Sequence, residues 1–189
     1  MGLRRRRGDD GVVLLELAIV MPVLVLLVLG IAEFGMGWRD RITVQNAVRS
    51  AARVAGSLGD EPTTDYQLLQ NLRAGLDTGT LANVRRVIVY RSQHSDGRVP
   101  TACLVTSQSG LCNVYDAAAL AAPASSFGCD AGDLDERWCP IGRRVSDSGA
   151  GPDYLGIYVE VDHDYMTALF DTGNVMIVDR AVTRLEVQQ

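Results

Sequence analysis

Glu16 stands near the start of the otherwise apolar run Val12–Ile31. A carboxylate in such a place must either reach the headgroups or meet a positive group in the same layer, because a charge left unpaired away from water is costly. Gly11 immediately precedes the run, and cleavage after it would free an amino group at Val12 and make Glu16 the fifth residue of the shortened chain. An amine and a carboxylate brought together in low dielectric attract far more strongly than in water. That is chemistry for docking one chain on another.

The remaining polar constellations point to less. His163 lies between Asp162 and Asp164, which invites a metal or acid–base reading, but on a strand both aspartates face away from the histidine. His94 lies beside the turn residues Ser95-Asp96-Gly97 and reads as solvated. Asp130, Asp133, Asp135 and Glu136 form an acidic cluster without the ligand spacing of a calcium loop, and read as solvated surface. The sequence contains no G-x-S-x-G elbow, phosphate-cradling glycine loop or H-E-x-x-H pair. No catalytic residue, cofactor site or metal site is expected, and the chain does not read as an enzyme.

The element that positions Glu16 is a membrane helix. Twenty helical residues span roughly 30 Å, the thickness of a bilayer's hydrocarbon core. Seven Leu, six Val and two Ile fill the run. Together they favour insertion by roughly 5–9 kcal/mol, against roughly 2.5–3.5 kcal/mol for one central charge. Pro22 removes one helix hydrogen bond and is expected to kink the helix. Arg4 to Arg7 precede the run and predict a cytoplasmic N-terminus with the remainder translocated. In that setting the basic cluster is an orientation signal, and nucleic acid is not an expected partner. A cleaved secretory signal is the rival reading, but the run exceeds an h-region and no A-x-A-like site closes it. All 18 basic residues are arginine and the net charge is −5, so the body is mildly acidic.

Beyond the bilayer the helical period continues. Phe34, Trp38, Ile42, Gln45, Val48, Ala52 and Ala55 recur at three or four residues, reading as core packing or as a partner-helix surface. Ala47, Ala51 and Ala55 permit close approach of either kind, and Gly56 and Gly59 end the helix. A second helix is expected over Tyr66–Leu76, capped by Thr63 or Thr64, with Leu69, Leu72 and Leu76 inward. Arg86–Arg91 reads as a short strand, and Leu155, Ile157, Val159 and Val161 alternate with polar residues as a half-buried one. Val175–Val187 reads as the last strand, and residues 92–153 as mostly irregular. The fold class is α+β: a long N-terminal transmembrane and stem helix packed on a small antiparallel sheet, with disulfide-stapled irregular loops.

Cys103, Cys112, Cys129 and Cys139 all lie in the part expected outside the cytoplasm, where an even count implies disulfides, with three pairings open. Joining neighbours, Cys103 to Cys112 and Cys129 to Cys139, closes loops of about ten residues, each worth roughly 2.5–3 kcal/mol on the chain-entropy estimate. Zinc is disfavoured because no C-x-x-C spacing exists.

A short basic leader ending in Gly11, followed by an apolar helix with Glu16 in this position, resembles the type IV pilin and pseudopilin pattern. The stretch from Gly11 through Pro22 to Ala32-Glu33-Phe34-Gly35, together with Val44 to Arg53, is similar to the TadE-like family, the minor pilins or pseudopilins of the tight-adherence (Flp) pilus. Cys112-Asn113-Val114-Tyr115 and Arg184-Leu185-Glu186 extend the likeness more weakly, and Arg41 departs from it. The resemblance implies that a membrane-embedded prepilin peptidase cuts between Gly11 and Val12. It also implies that Glu16 docks the subunit against a neighbour's new amine. The expected organisation is a leader over 1–11, a transmembrane helix over 12–31, a stem over 32–57 and an extracytoplasmic head over 58–189. Expected partners are the membrane, the peptidase, other pilin subunits and the assembly platform. The other reading is an uncleaved, signal-anchored surface or binding protein.

Overall fold

The computed structural model describes residues 9–92, 97–145, 151–167 and 173–186. Arg4 to Arg7, His94 with Ser95 and Asp96, and Val187 lie outside the described residues. Helix α1 runs unbroken over Asp9–Leu58, through Pro22, a length of about 75 Å. Helices α2 (Thr64–Gly75) and α3 (Thr78–Ala82) follow. Strands β1 (Val84–Arg91), β2 (Cys112–Tyr115), β3 (Tyr154–His163) and β4 (Val175–Arg184) then form one antiparallel sheet in the order β2-β1-β3-β4. A long helix on a small antiparallel sheet is thus the architecture, as the sequence patterns predict.

Gly59 ends α1. Its φ of 61° places it in the left-handed region, and its N–H donates to the Ala55 carbonyl at 3.1 Å. Gly56 stays inside the helix, where a Cβ would come within 2.6 Å of the Thr183 hydroxyl. Thr63 takes the cap position of α2 without a capping side-chain bond. α2 lies so close to α1 that a Cβ on Gly75 would sit 2.8 Å from that of Ala47. This contact uses the small-residue stripe Ala47, Ala51 and Ala55, which is fully covered. Val44, Val48, Leu68, Leu69 and Leu72 from the helices meet Val87, Val89, Leu155, Ile157 and Val159 from the sheet to form the core.

Three expectations change. Phe34, Trp38 and Ile42 remain exposed, because covering of the stem's apolar stripe begins only at Val44. β3 is covered on both faces rather than one: Gly156 and Glu160 are buried along with Leu155, Ile157, Val159 and Val161. The segment from Gly97 to Leu104 folds over the outer face of β1 and β2, where Ile88, Tyr90, Cys103 and Cys112 make a second apolar cluster. Disulfides join Cys103 to Cys112, holding that segment down, and Cys129 to Cys139. The third change is Asp135, which is buried and accepts the N–H groups of Gly128 and Cys129, both at 3.1 Å. It organises its own loop instead of facing solvent.

Arginine–carboxylate pairs bind the elements together. Arg86 grips Glu160 through two nitrogens, at 2.6 and 2.8 Å, and the Tyr158 hydroxyl donates to the same carboxylate. Burial pushes the Glu160 carboxyl up, but Arg86 and Tyr158 outweigh it and hold the group below the ordinary range. Asp153 is likewise raised by burial and lowered further by Arg144 and Arg91, with a net fall. A carboxyl with a depressed folded pKa stabilises fully above its unfolded value near 4, and that stability is lost as pH falls through the folded value. Asp135 and Asp179, raised by burial, act with the opposite sign and blunt the loss. The detergent-solubilised protein should therefore unfold at progressively lower urea as pH drops below about 4, and Glu160→Gln should flatten that slope. An unchanged slope in the variant would remove Glu160 from the account.

Candidate functional site: the apolar helix and its junction with the body

The side chains from Val12 to Leu27 are all exposed, with Leu14 at 67% and Ile19 at 67%. Among the described residues α1 is the one helix long and apolar enough to cross a membrane. A water-exposed face of this size cannot stand bare, which is why an N-terminal helix of this composition indicates single-pass membrane anchoring. Glu16 is exposed on this helix, four residues beyond Val12 and so on the same side, one turn further along. Gly11 is helical, and a Cβ built on it meets nothing within 4 Å. Among the described residues, nothing packs on Gly11, and Glu16 is exposed.

Where the apolar stretch ends, the body takes hold of the helix. Glu33 is only 3% exposed and accepts the backbone N–H groups of Met166, at 3.0 Å, and Thr167. Burial pushes its carboxyl up, but the hydrogen bonds from Thr167 and Met166 bring it below the ordinary range. One turn on, Gly37 lies flat against the His163 imidazole, where a Cβ would be 3.3 Å from Nε2. Three residues further, Asp40 Oδ2 sits 2.7 Å from His163 Nδ1. Glu33, Gly37 and Asp40 fall at i, i+4 and i+7, a single helix face.

This settles where His163 belongs. Its neighbours bond elsewhere, Asp162 with Arg85 at 2.6 Å and Asp164 with Asn83 at 3.2 Å. The imidazole is 7% exposed and packed against α1 at Gly37 and Asp40. Among the described residues no group of three or more His, Cys, Asp or Glu side chains could hold a metal. The His163–Asp40 pair is missed by the sequence reading because the two residues are 123 positions apart. The available signal was the spacing of Glu33, Gly37 and Asp40, two carboxylates and a glycine on one helix face just past the apolar run.

The fold and this junction define a class: a single-pass membrane-anchored α+β protein whose helix continues without a break into its body. Residues 11–53 match the family model described as TadE-like protein, so this stretch carries a TadE-like domain. That domain implies a protein associated with the tight-adherence pilus, of a structural family rather than an enzymatic one. The match runs from the first residue before the apolar run to the last arginine of the stem, and so includes Gly11, Glu16, Pro22 and Glu33. No curated protein and no solved structure matches the chain.

Proposed function

We propose that this chain is a pseudopilin of the tight-adherence pilus, cut between Gly11 and Val12 by a prepilin peptidase and docked among pilin subunits or on the assembly platform through Glu16. The observation that carries the reading is the Gly11-to-Glu16 spacing at the mouth of an exposed apolar helix, within the TadE-like stretch. A simple anchor has no use for a carboxylate in its membrane helix. A docking subunit does: an ion pair at 4 Å is worth about 4 kcal/mol at an effective dielectric of 20 but about 1 kcal/mol in water. The N-terminus lies in the cytoplasm and the body outside it, where both disulfides persist.

Glu16→Ala tests it. Losing a charge from the bilayer makes insertion easier, by up to roughly 2.5–3.5 kcal/mol, so membrane levels should hold. Cleavage after Gly11 should persist, while crosslinking to pilus or platform subunits falls because the neighbour's amine has lost its counter-charge. Normal crosslinking and piliation by the variant would reduce Glu16 to a residue reaching for headgroups. An intact wild-type chain in peptidase-bearing cells would favour the signal-anchored surface protein instead.

A further inference from the structure

β3 descends along α1 toward its apolar end. His163 meets Asp40, and three residues later Met166 meets Glu33, about two helical turns nearer the membrane segment. Among the described residues, Met166 and Thr167 past the end of β3 thus reach well down α1 toward its apolar stretch, and around them lies a set of side chains that the core does not use. Phe34 is 73% exposed, Trp38 56% and Met166 72%. Val175 and Met176 at the start of β4 are exposed too, and they share one groove with Phe34, Trp38 and Tyr165. Phe34 also lines a second groove, which runs along the apolar helix past Val23, Leu27 and Ile31. The apolar surface of the helix thus continues without interruption onto the body.

We propose that Phe34, Trp38, Tyr165, Met166, Val175 and Met176 form a collar that seats the body in the headgroup–acyl boundary of the membrane, so that lipid covers this face. The inference rests on the reading that α1 crosses the bilayer. Depth supports it. Phe34 stands about 4.5 Å and Trp38 about 10 Å past Ile31 along the helix, and helical side chains lean back toward the N-terminus. The interfacial layer is about 5–8 Å thick on each side of the hydrocarbon core. Both rings, stacked at 6.3 Å, fall in that layer, where Trp and Tyr concentrate because one end of each is apolar and the other wet. Arg41 lines the same groove and adds a cation on its outer side. Glu33, the one carboxylate at this level of the helix, is covered by Met166 and Thr167 and kept from the lipid. With the helix gripped at Glu33, Gly37 and Asp40, the collar fixes the tilt of the body as well as its height.

The test uses the full chain in phosphatidylcholine–phosphatidylglycerol vesicles whose lipids carry bromine near the headgroup end of the acyl chains. The chain has two tryptophans, and Trp138 is 3% exposed, so a Trp38→Phe variant isolates the Trp38 signal. Flotation after an alkaline wash first shows whether the helix is inserted; failure there sinks the anchoring reading itself. With insertion established, Trp38 should lose emission to the brominated lipid and resist aqueous iodide. A second sensor, Met166→Trp in the Trp38→Phe background, should be quenched by the same lipid. That result separates a seated body from a helix that merely passes the interface. Iodide quenching of the Met166→Trp sensor, with lipid quenching absent, would overturn the collar and leave anchoring intact. Protection from both quenchers would overturn it too, assigning the face to a second copy or another subunit.

Discussion

Asp65→Ala should lower the stability of the body by about 3–5 kcal/mol, the penalty for stranding a buried charge. Asp65 and Arg143 are fully buried as side chains and joined by two bonds, of 2.7 and 2.8 Å. Asp65 also receives the Tyr115 hydroxyl at 2.5 Å and the Asn113 amide at 3.0 Å, while Arg143 donates to the Trp138 carbonyl and lies 4.2 Å from the centre of its ring. Burial, and then Asp65, raises the Tyr115 hydroxyl well above its ordinary pKa, so it stays a donor. Removing the carboxylate leaves the guanidinium with one carbonyl and one aromatic face. Against a total of about 5–15 kcal/mol, a loss of that size leaves a measurable fraction unfolded. Pairing Asp65→Ala with Arg143→Met should recover part of it, since the stranded charge goes, though Tyr115 and Asn113 still lack an acceptor. Urea midpoints of the four proteins give the coupling directly. A single-variant loss under about 1 kcal/mol would mean that water reaches the pair.

That network shows where sequence reading stops. Its charged members sit 78 positions apart and carry no local pattern. The apolar run from Val12, by contrast, is legible because composition alone decides membrane insertion. β3 is legible because alternation survives in a strand of ten residues. β2 spans only Cys112–Tyr115, too short for any period to show, and its place at the sheet edge depends on pairing with β1 and on a disulfide to Cys103. Asp135 misleads for a related reason. Four acidic residues in a loop look solvated, yet turning the chain through Cys129, at a φ of 69°, leaves N–H groups that need an internal acceptor. The stem's stripe reads correctly as apolar, but periodicity cannot tell which part meets the core and which waits for lipid. Only the height of the β3–β4 end on α1 separates Phe34 and Trp38 from Val48 and Ala52.

Replacing Gly11 with leucine should abolish processing, leaving a chain longer than the mature form by the eleven residues before Val12. A leucine there is harmless to the fold: a Cβ at Gly11 meets nothing within 4 Å, and α1 already runs through the position. Within a helix, exchanging glycine for a residue of good propensity is favourable by about 0.5–1 kcal/mol. Insertion is also undisturbed, since leucine adds apolar surface next to the run. Any block must therefore arise in the peptidase, which has to reach the backbone at the membrane face without a side chain in the way. Intact mass of the membrane-extracted proteins reads the outcome, and the same spectrum shows the four cysteines oxidised or free. Gly11→Ala makes the graded control, with partial processing expected. If Gly11→Leu is cut as efficiently as the wild type, the bond between Gly11 and Val12 is not the one recognised. Glu16 would then lose its partner amine, and the pseudopilin reading would fall with it.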